Sequence, residues 1–396
     1  MQQLRAIAAP PAVDYGKIPC FRPVIGRAEI EAVVEVLRSA WITTGPKVRE
    51  FEAKFADFLG GGVEAVAVNS ATAGLHLAAE ACGIGPGDEV IVPTLTFTAT
   101  GSVIRYLGAE VVLVDVEADT LAIDLDQAER RITPRCKAIM AVHFGGYPCD
   151  MTRVLSFARR HGLKVIEDAA HALPTFRDGR IIGSWESDAC VFSFYATKPI
   201  TTGEGGMIVT RDPQIAERAR TMRSHGLSRD AFDRFRKVGA SWAYDVVAPG
   251  YKYNMTDVAA ALGIVQLRRV YALQASRERV AEHYFARLAG LPIDCPAPAP
   301  SGSRHAWHLF PIRVHETARA TRDHLIAALT AHEIGTSVHY RPLHQMTYWR
   351  ERYPWKPGDF AVADRYFAGA LTLPLFPGMS DAQVDRVAQI VRRVLA

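Results

Sequence analysis

Apolar residues recur at helical spacing through Ile30, Val33, Val34 and Leu37, which predicts a helix. A polar turn, Trp41-Ile42-Thr43-Thr44-Gly45-Pro46, then leads into a second helix through Phe51 and Phe55. From Ala65 to Val209 the pattern changes. Short apolar runs at Val66–Val68, Val90–Val92, Val111–Val114, Ala138–Val142, Val165–Ile166, Cys190–Phe192 and Met207–Val209 alternate with helical stretches. That rhythm predicts an α/β domain built on a largely parallel sheet. Past Gln266 an arginine-studded helical stretch reaches about Leu288, and Leu291 to Ser303 is rich in proline, glycine and serine. A smaller α+β region follows. The expected division is a large α/β domain over residues 1–270 and a small C-terminal α+β domain over 271–396.

Length agrees with that division, since 396 residues exceed the roughly 250–300 at which a single core stops growing. Charged residues are 22% of the chain and its net charge is +4, a balance that calls for neither nucleic acid nor membrane. The basic cluster Arg234-Phe235-Arg236-Lys237 fits a solvated loop as well as a binding patch. The six cysteines show no C-x-x-C spacing, so neither a metal site nor a disulfide framework is expected. Met1 to Gly16 lacks the apolar stretch of a secretion signal and no later run is long enough to cross a bilayer. The expected location is cytoplasmic.

Open α/β sheets bind ligands beyond the carboxyl ends of their strands, and several of those ends carry unusual residues. Asn69-Ser70-Ala71-Thr72-Ala73-Gly74 joins the first strand to a helix, where Thr72 and the free N–H groups suit either a phosphate cradle or a simple N-cap. Pro93 to Thr100 sets Phe97 among threonines, as a core residue or as a cover for a heteroaromatic ring. Glu167-Asp168-Ala169-Ala170-His171 offers an acid to keep a pyridine nitrogen protonated and a histidine to orient that acid or meet a ring hydroxyl. The bland readings are a capping aspartate and a satisfied histidine. Ser193 ends another strand, and Lys198, five residues on, lies between an apolar strand and the glycine-rich Gly203-Glu204-Gly205-Gly206. A lysine there is a candidate Schiff-base former, provided desolvation keeps its amine neutral. An anion, a flat ring, a basic nitrogen and an aldehyde are called for together, and pyridoxal 5′-phosphate (PLP) supplies all of them.

The chain resembles the sugar-nucleotide aminotransferases of the DegT/StrS type, which have the PLP-dependent transferase fold of type I. The resemblance runs nearly end to end, through Trp41–Pro46, Ser70–Gly74, Val165–His171, Phe192-Ser193-Phe194 with Lys198, Gly203–Gly206 and Gly250-Tyr251-Lys252-Tyr253-Asn254-Met255. It continues through Trp307-His308-Leu309-Phe310, His339-Tyr340 and Leu373–Pro377. Within the family the chain looks most like the enzymes that aminate C4 of a nucleotide-linked 4-keto sugar, including the one that makes UDP-4-amino-4-deoxy-L-arabinose.

The resemblance implies that Lys198 is the Schiff-base lysine, Asp168 the partner of the ring nitrogen and His171 its neighbour. It also implies that Phe97 stacks on the ring and that Ala71, Thr72 and Ser193 hold the phosphate. Asn254 is similar to a family residue that reaches the phosphate from a second subunit, which implies a homodimer with shared active sites. Thr43, Lys252, His339 and Tyr340 fall on the substrate side by the same resemblance. The stretch from Arg229 to Lys237 corresponds to a loop near the partner's site, where its basic residues meet a nucleotide diphosphate or remain solvated. Many relatives have histidine where this chain has Tyr195, asparagine where it has Pro199 and glycine where it has Pro174. Pro199 removes a backbone donor and biases Lys198 toward an extended conformation, so a local change in the lysine loop is expected.

The expected activity is transfer of an amino group from L-glutamate to a nucleotide-linked keto sugar, with C3 amination as an alternative to C4. A sugar dehydratase is disfavoured because relatives with that activity carry histidine at the lysine position. A PLP-binding protein without turnover remains the rival from another class. A nicotinamide dehydrogenase lacks its G-x-G-x-x-G fingerprint here.

Overall fold

A computed structural model describes residues 16–228 and 244–396. Helix α1 (Arg27–Ser39) is followed by α2 (Pro46–Phe58), and the residue before α2, Gly45, has no side chain with which to cap it. Asp257 takes over that role from a distant part of the chain. Its carboxylate accepts the N–H groups of Gly45 at 2.8 Å, Lys47 at 3.0 Å and Val48 at 3.0 Å. A buried anion at the positive end of α2 thus ties it to the helix that Asp257 begins, α8 (Asp257–Arg268).

The predicted strands all form. In order they are β1 (Glu64–Val68), β2 (Glu89–Pro93), β3 (Glu110–Val114), β4 (Cys136–Val142), β5 (Lys164–Asp168), then after a small hairpin of β6 (Phe176–Arg177) and β7 (Arg180–Ile181), β8 (Ala189–Ser193) and β9 (Gly206–Thr210). Between them run α3 (Ala71–Ala81), α4 (Thr98–Tyr106), α5 (Leu125–Arg131) and α6 (Met151–His161), with α7 (Pro213–Met222) after β9. The main sheet has seven strands in the order β1-β9-β8-β5-β4-β2-β3. It is mostly parallel, as expected, with β9 antiparallel to both β1 and β8.

Alternation along each strand divides the interior into two layers. Ala65, Ala67, Ile91, Ile139, Val165, Cys190, Phe192 and Met207 face one apolar cluster with Phe51 and Phe55 of α2. Their neighbours Val66, Val68, Val90, Val92, Met140, Ile166, Val191 and Ile208 face the other, with α3, α4 and α7. At Gly74 a Cβ would sit 2.7 Å from Val191 Cγ1, so glycine is what lets α3 lie close on the sheet.

Helix α9 (Val270–Leu288) leads to a three-stranded antiparallel sheet of β10 (Ile293–Asp294), β11 (Phe310–Val314) and β12 (Ala370–Leu373). Val280, Tyr284, Leu325 and Val387 pack with it in a third apolar cluster, joined by Ile18 from the start of the described chain. Leu343, Trp349, Phe360 and Tyr366 instead join the second cluster under the main sheet, with Trp349 against Gly101 of α4. Among the described residues no helix is long and apolar enough to cross a membrane.

Candidate active site

The carboxyl ends of β1, β2, β5 and β8 meet at one cavity of about 400 Å³, a size suited to a small cofactor and its substrate. Ala71, Thr72, Phe97, Asp168, His171, Ser193, Lys198, His339 and Tyr340, all singled out from sequence, line it together. Thr43, Lys252 and Asn254 do not. They stand in a separate cluster, where Asn254 Nδ2 donates to Thr44 Oγ1 at 2.6 Å and Lys252 Nζ donates to Asn254 Oδ1 at 2.6 Å. Thr43 and Lys252 are exposed there. Arg229 and the basic cluster through Lys237 lie outside the described residues.

Lys198 retains some exposure to the cavity, but the protein around it desolvates the amine. Desolvation lowers its pKa from 10.5 to about 8, with the Asp168 carboxylate pulling the other way. An amine so placed is neutral in a useful fraction near neutral pH. The loop that carries it is tightly held. The Lys198 N–H donates to Tyr195 O at 2.9 Å, Thr202 N–H to Phe194 O at 2.9 Å, and Phe194 N–H to Gly205 O at 2.9 Å. Arg277, buried on α9, reaches the carbonyls of Lys198 and Pro199 at 3.4 and 3.5 Å. At the two departures in this region, Tyr195 is exposed and Pro199 is buried. At the third, Pro174 follows Leu173 through a cis peptide bond.

Asp168 ends β5 with 6% exposure, and no helix begins there for it to cap. Its Oδ2 accepts the Thr100 hydroxyl at 2.7 Å and its Oδ1 the Ala170 N–H at 3.2 Å. Burial raises its pKa, opposed by those two donors and by the charge of Lys198. Thr100, whose hydroxyl also lies 2.7 Å from that of Thr96, was visible in sequence only as one of the threonines around Phe97. Behind this acid the buried Glu167 meets His143 Nε2 at 2.9 Å and the Ser187 hydroxyl.

His171 accepts the Gly145 N–H on Nδ1 at 3.2 Å, which assigns its proton to Nε2, facing the Tyr340 hydroxyl at 3.2 Å. Burial, with Lys198 and His339 nearby, holds its pKa well below the usual value. The satisfied-histidine reading is therefore correct for its hydrogen bonds, and the ring still lines the cavity. Phe97 is 55% exposed, which rules out a core role, and lies against Tyr340 with ring centroids 5.7 Å apart. His339 is fixed by Thr372, with Nδ1 and Oγ1 2.7 Å apart, and burial takes its pKa down to about 4.

At the start of α3 the capping reading of the Ser70 segment is met, and the geometry leaves room for the phosphate reading beside it. Ser70 Oγ caps the helix by accepting the Ala73 N–H at 3.1 Å. The N–H groups of Ala71 and Thr72 are left without intrahelical acceptors at the positive end of the helix, an anion site. Gly206 makes this close: a Cβ there would lie 2.8 Å from the Ala71 nitrogen. A low-pKa amine, a buried carboxylate, an exposed aromatic face and a helix N-terminus on one cavity fit the aldehyde, ring nitrogen, ring face and phosphate of PLP. A larger cavity of about 590 Å³ opens beyond Phe144 and Gly145, but among the described residues no lysine lines it and its Arg313 is paired with Asp294.

Comparison with known proteins agrees with this chemistry. The spore coat polysaccharide biosynthesis protein SpsC of Bacillus subtilis is 46% identical over 380 residues, covering 96% of this chain and 97% of that protein. Among solved structures, Spr1654 of Streptococcus pneumoniae in its PMP form, described as a sugar aminotransferase, matches with a TM-score of 0.90 at 35% identity, covering 96% of this chain and 99% of that one. PseC of Helicobacter pylori, an aminotransferase involved in the biosynthesis of pseudoaminic acid, matches with a TM-score of 0.88 at 27% identity, covering 96% and 99%. A family model matches residues 23–392, and the chain thus belongs to the DegT/DnrJ/EryC1/StrS aminotransferase family.

Proposed function

We propose that this aminotransferase moves an amino group from L-glutamate to C4 of a UDP- or TDP-linked 4-keto sugar, releasing 2-oxoglutarate and the amino sugar nucleotide. The protein is a sugar aminotransferase and its cofactor is PLP. The observation that carries the mechanism is the desolvated Lys198 amine, brought to about pKa 8, in one cavity with the Asp168 carboxylate and the N-terminus of α3. PLP bound there supplies an aldehyde for the lysine and an electron sink beside the reacting carbon.

Lys198 Nζ anchors the cofactor, takes the proton from the donor's α-carbon once displaced, and later gives one to the sugar carbon that gains nitrogen. Asp168 holds a proton on the ring nitrogen, with Thr100 and the Ala170 N–H keeping the carboxylate ionised and oriented. Ala71, Thr72 and Ser193 take the phosphate, Phe97 covers the ring, and His171 with Tyr340 borders it. His339 stands at the substrate entrance. Asn254, Lys252 and Thr43, clustered outside the cavity of their own chain, serve the site of a partner subunit in a homodimer. Arg229 is given to the nucleotide by the family resemblance alone.

Mixing the purified protein with L-glutamate should bleach its yellow absorbance and release 2-oxoglutarate. The reverse reaction with a panel of amino sugar nucleotides should favour 4-amino over 3-amino sugars. An unchanged spectrum with glutamate, or turnover of 3-amino sugars alone, would overturn the corresponding half of the proposal.

A further inference from the structure

We infer that His308 receives a carboxylate of the amino donor, which places it in contact with substrate during the first half of the reaction. This rests on the donor reading above. His308 lines the same cavity as Lys198 and Asp168, is 2% exposed, and its Nδ1 is buried without a hydrogen-bond partner among the described residues. Native proteins rarely leave such an atom unmet unless a ligand or water completes it.

The ring is held in place from several sides. Its centroid lies 4.5 Å from that of His171, and Phe21 stacks 6.1 Å away with an interplanar angle of 24°. The main chain beneath it is fixed as well, the His308 backbone N–H donating to Gly145 O at 3.1 Å. Just before it, Trp307 has φ 49°, a left-handed conformation unfavourable for a bulky side chain. That conformation is held by His305, whose Nδ1 accepts the Trp307 backbone N–H at 2.8 Å and whose ring stacks on the indole at 3.9 Å. Strain so firmly imposed, with an unpaired nitrogen as its next residue, is the pattern of a functional position.

The charges around His308 select the ligand. After burial, the groups that depress its pKa are Lys198, His171, Arg277 and His339, all of them cations or bases. Arg277 is itself buried and, among the described residues, has only long contacts to two carbonyls and an Nε without a partner. Of the two acids that line the cavity, Asp168 already accepts from Thr100 and Ala170, and Glu204 is exposed. A carboxylate arriving beside His308 therefore gains from the charge of Arg277, the histidines around it being neutral, and from a hydrogen bond, whereas a sugar hydroxyl gains only the hydrogen bond. Every α-amino acid brings a carboxylate next to the carbon that reacts.

The test titrates PLP-loaded protein with succinate and with 2-oxoglutarate, following cofactor absorbance and heat. His308→Phe keeps the stacked ring and removes its nitrogens, whereas His308→Asn and His308→Gln return an amide at the Nδ1 or the Nε2 position. Expected are a loss of about ten-fold or more in affinity for the phenylalanine variant, with its visible circular dichroism unchanged, and recovery by one of the amides. Wild-type affinity in His308→Phe, or a loss that neither amide repairs, overturns the inference. If glutamate fails as donor while carboxylate binding still depends on His308, only the donor named above falls. If glutamate turns over and that dependence is absent, only this inference falls.

Discussion

Replacing Thr100 with valine removes one hydroxyl from the support of Asp168 while keeping the shape of the side chain. The lost bond, 2.7 Å long and fully buried, runs from a neutral donor to a carboxylate. Hydrogen bonds to charged groups contribute about 1.5–3 kcal/mol, and since one pKa unit is about 1.4 kcal/mol, the Asp168 pKa should rise by roughly 1–2 units. Burial already raises it above the ordinary 3.8, so the variant moves it further the same way. The sign for function follows from which form is needed. Only the ionised acid holds a proton on the ring nitrogen, so activity should fail at higher pH than in the wild type. The acid limb of kcat/KM should move up by about 1–2 units, with the alkaline limb in place. Stability has its own sign. A raised folded pKa favours the fold most below the unfolded value, and that contribution is lost as pH rises through the folded pKa, so the variant should be penalised mainly on the alkaline side. Thr100→Ser, which keeps the hydroxyl, should restore both profiles. An acid limb in Thr100→Val that coincides with wild type would refute the role given to Thr100.

Other outcomes follow from the same geometry. Lys198→Ala should bind PLP reversibly and lose turnover, and borohydride reduction of the wild type followed by peptide mapping should find the adduct on Lys198; normal rates in the variant would remove the central assignment. Asp257→Ala strips the acceptor from Gly45, Lys47 and Val48 and should cost about 3 kcal/mol in urea unfolding, which a denaturation midpoint equal to wild type would contradict. Gly206→Ala drives a methyl group toward the Ala71 nitrogen and should weaken PLP binding about ten-fold or more through a displaced α3. Retained affinity would show that the helix start is not the phosphate site.

The strands of the main sheet were legible because most of their residues are buried, on both faces, and each reads as a short apolar run between polar turns, whereas the short β6, β7 and β10 have no such run. Direction is harder to read from periodicity, yet the antiparallel turn into β9 left a trace: no helical stretch lies between Ser193 and Gly206 to carry the chain back for a parallel neighbour. Asp168, Ser193 and Lys198 could be found because strand ends converge in this architecture. Thr100 and Gly145 reach the site through tertiary contacts that spacing does not encode. His308 lay within a motif, but its importance depends on the left-handed turn at Trp307, which no local signal announces. The stretch around Trp349 is short and aromatic, and its place beneath the main sheet is decided by Gly101 on a helix far away in sequence. Phe97 shows the opposite case, since its residue type fitted core and cover equally and only its exposure distinguishes them.

The lysine loop bridges two neighbouring strands of the main sheet, β8 and β9, with Ser193 opposite Gly206 at its base. Shifting its main chain would mean shearing the ladder at the middle of the molecule, so the amine has to travel on the torsions of its own methylene stem. Rotations of exposed side chains take picoseconds to nanoseconds, and a lysine stem slowed by its surroundings still moves far faster than ordinary enzymes turn over. Repositioning the base between half-reactions should then never limit the rate, leaving substrate exchange or the proton transfers themselves to set the pace.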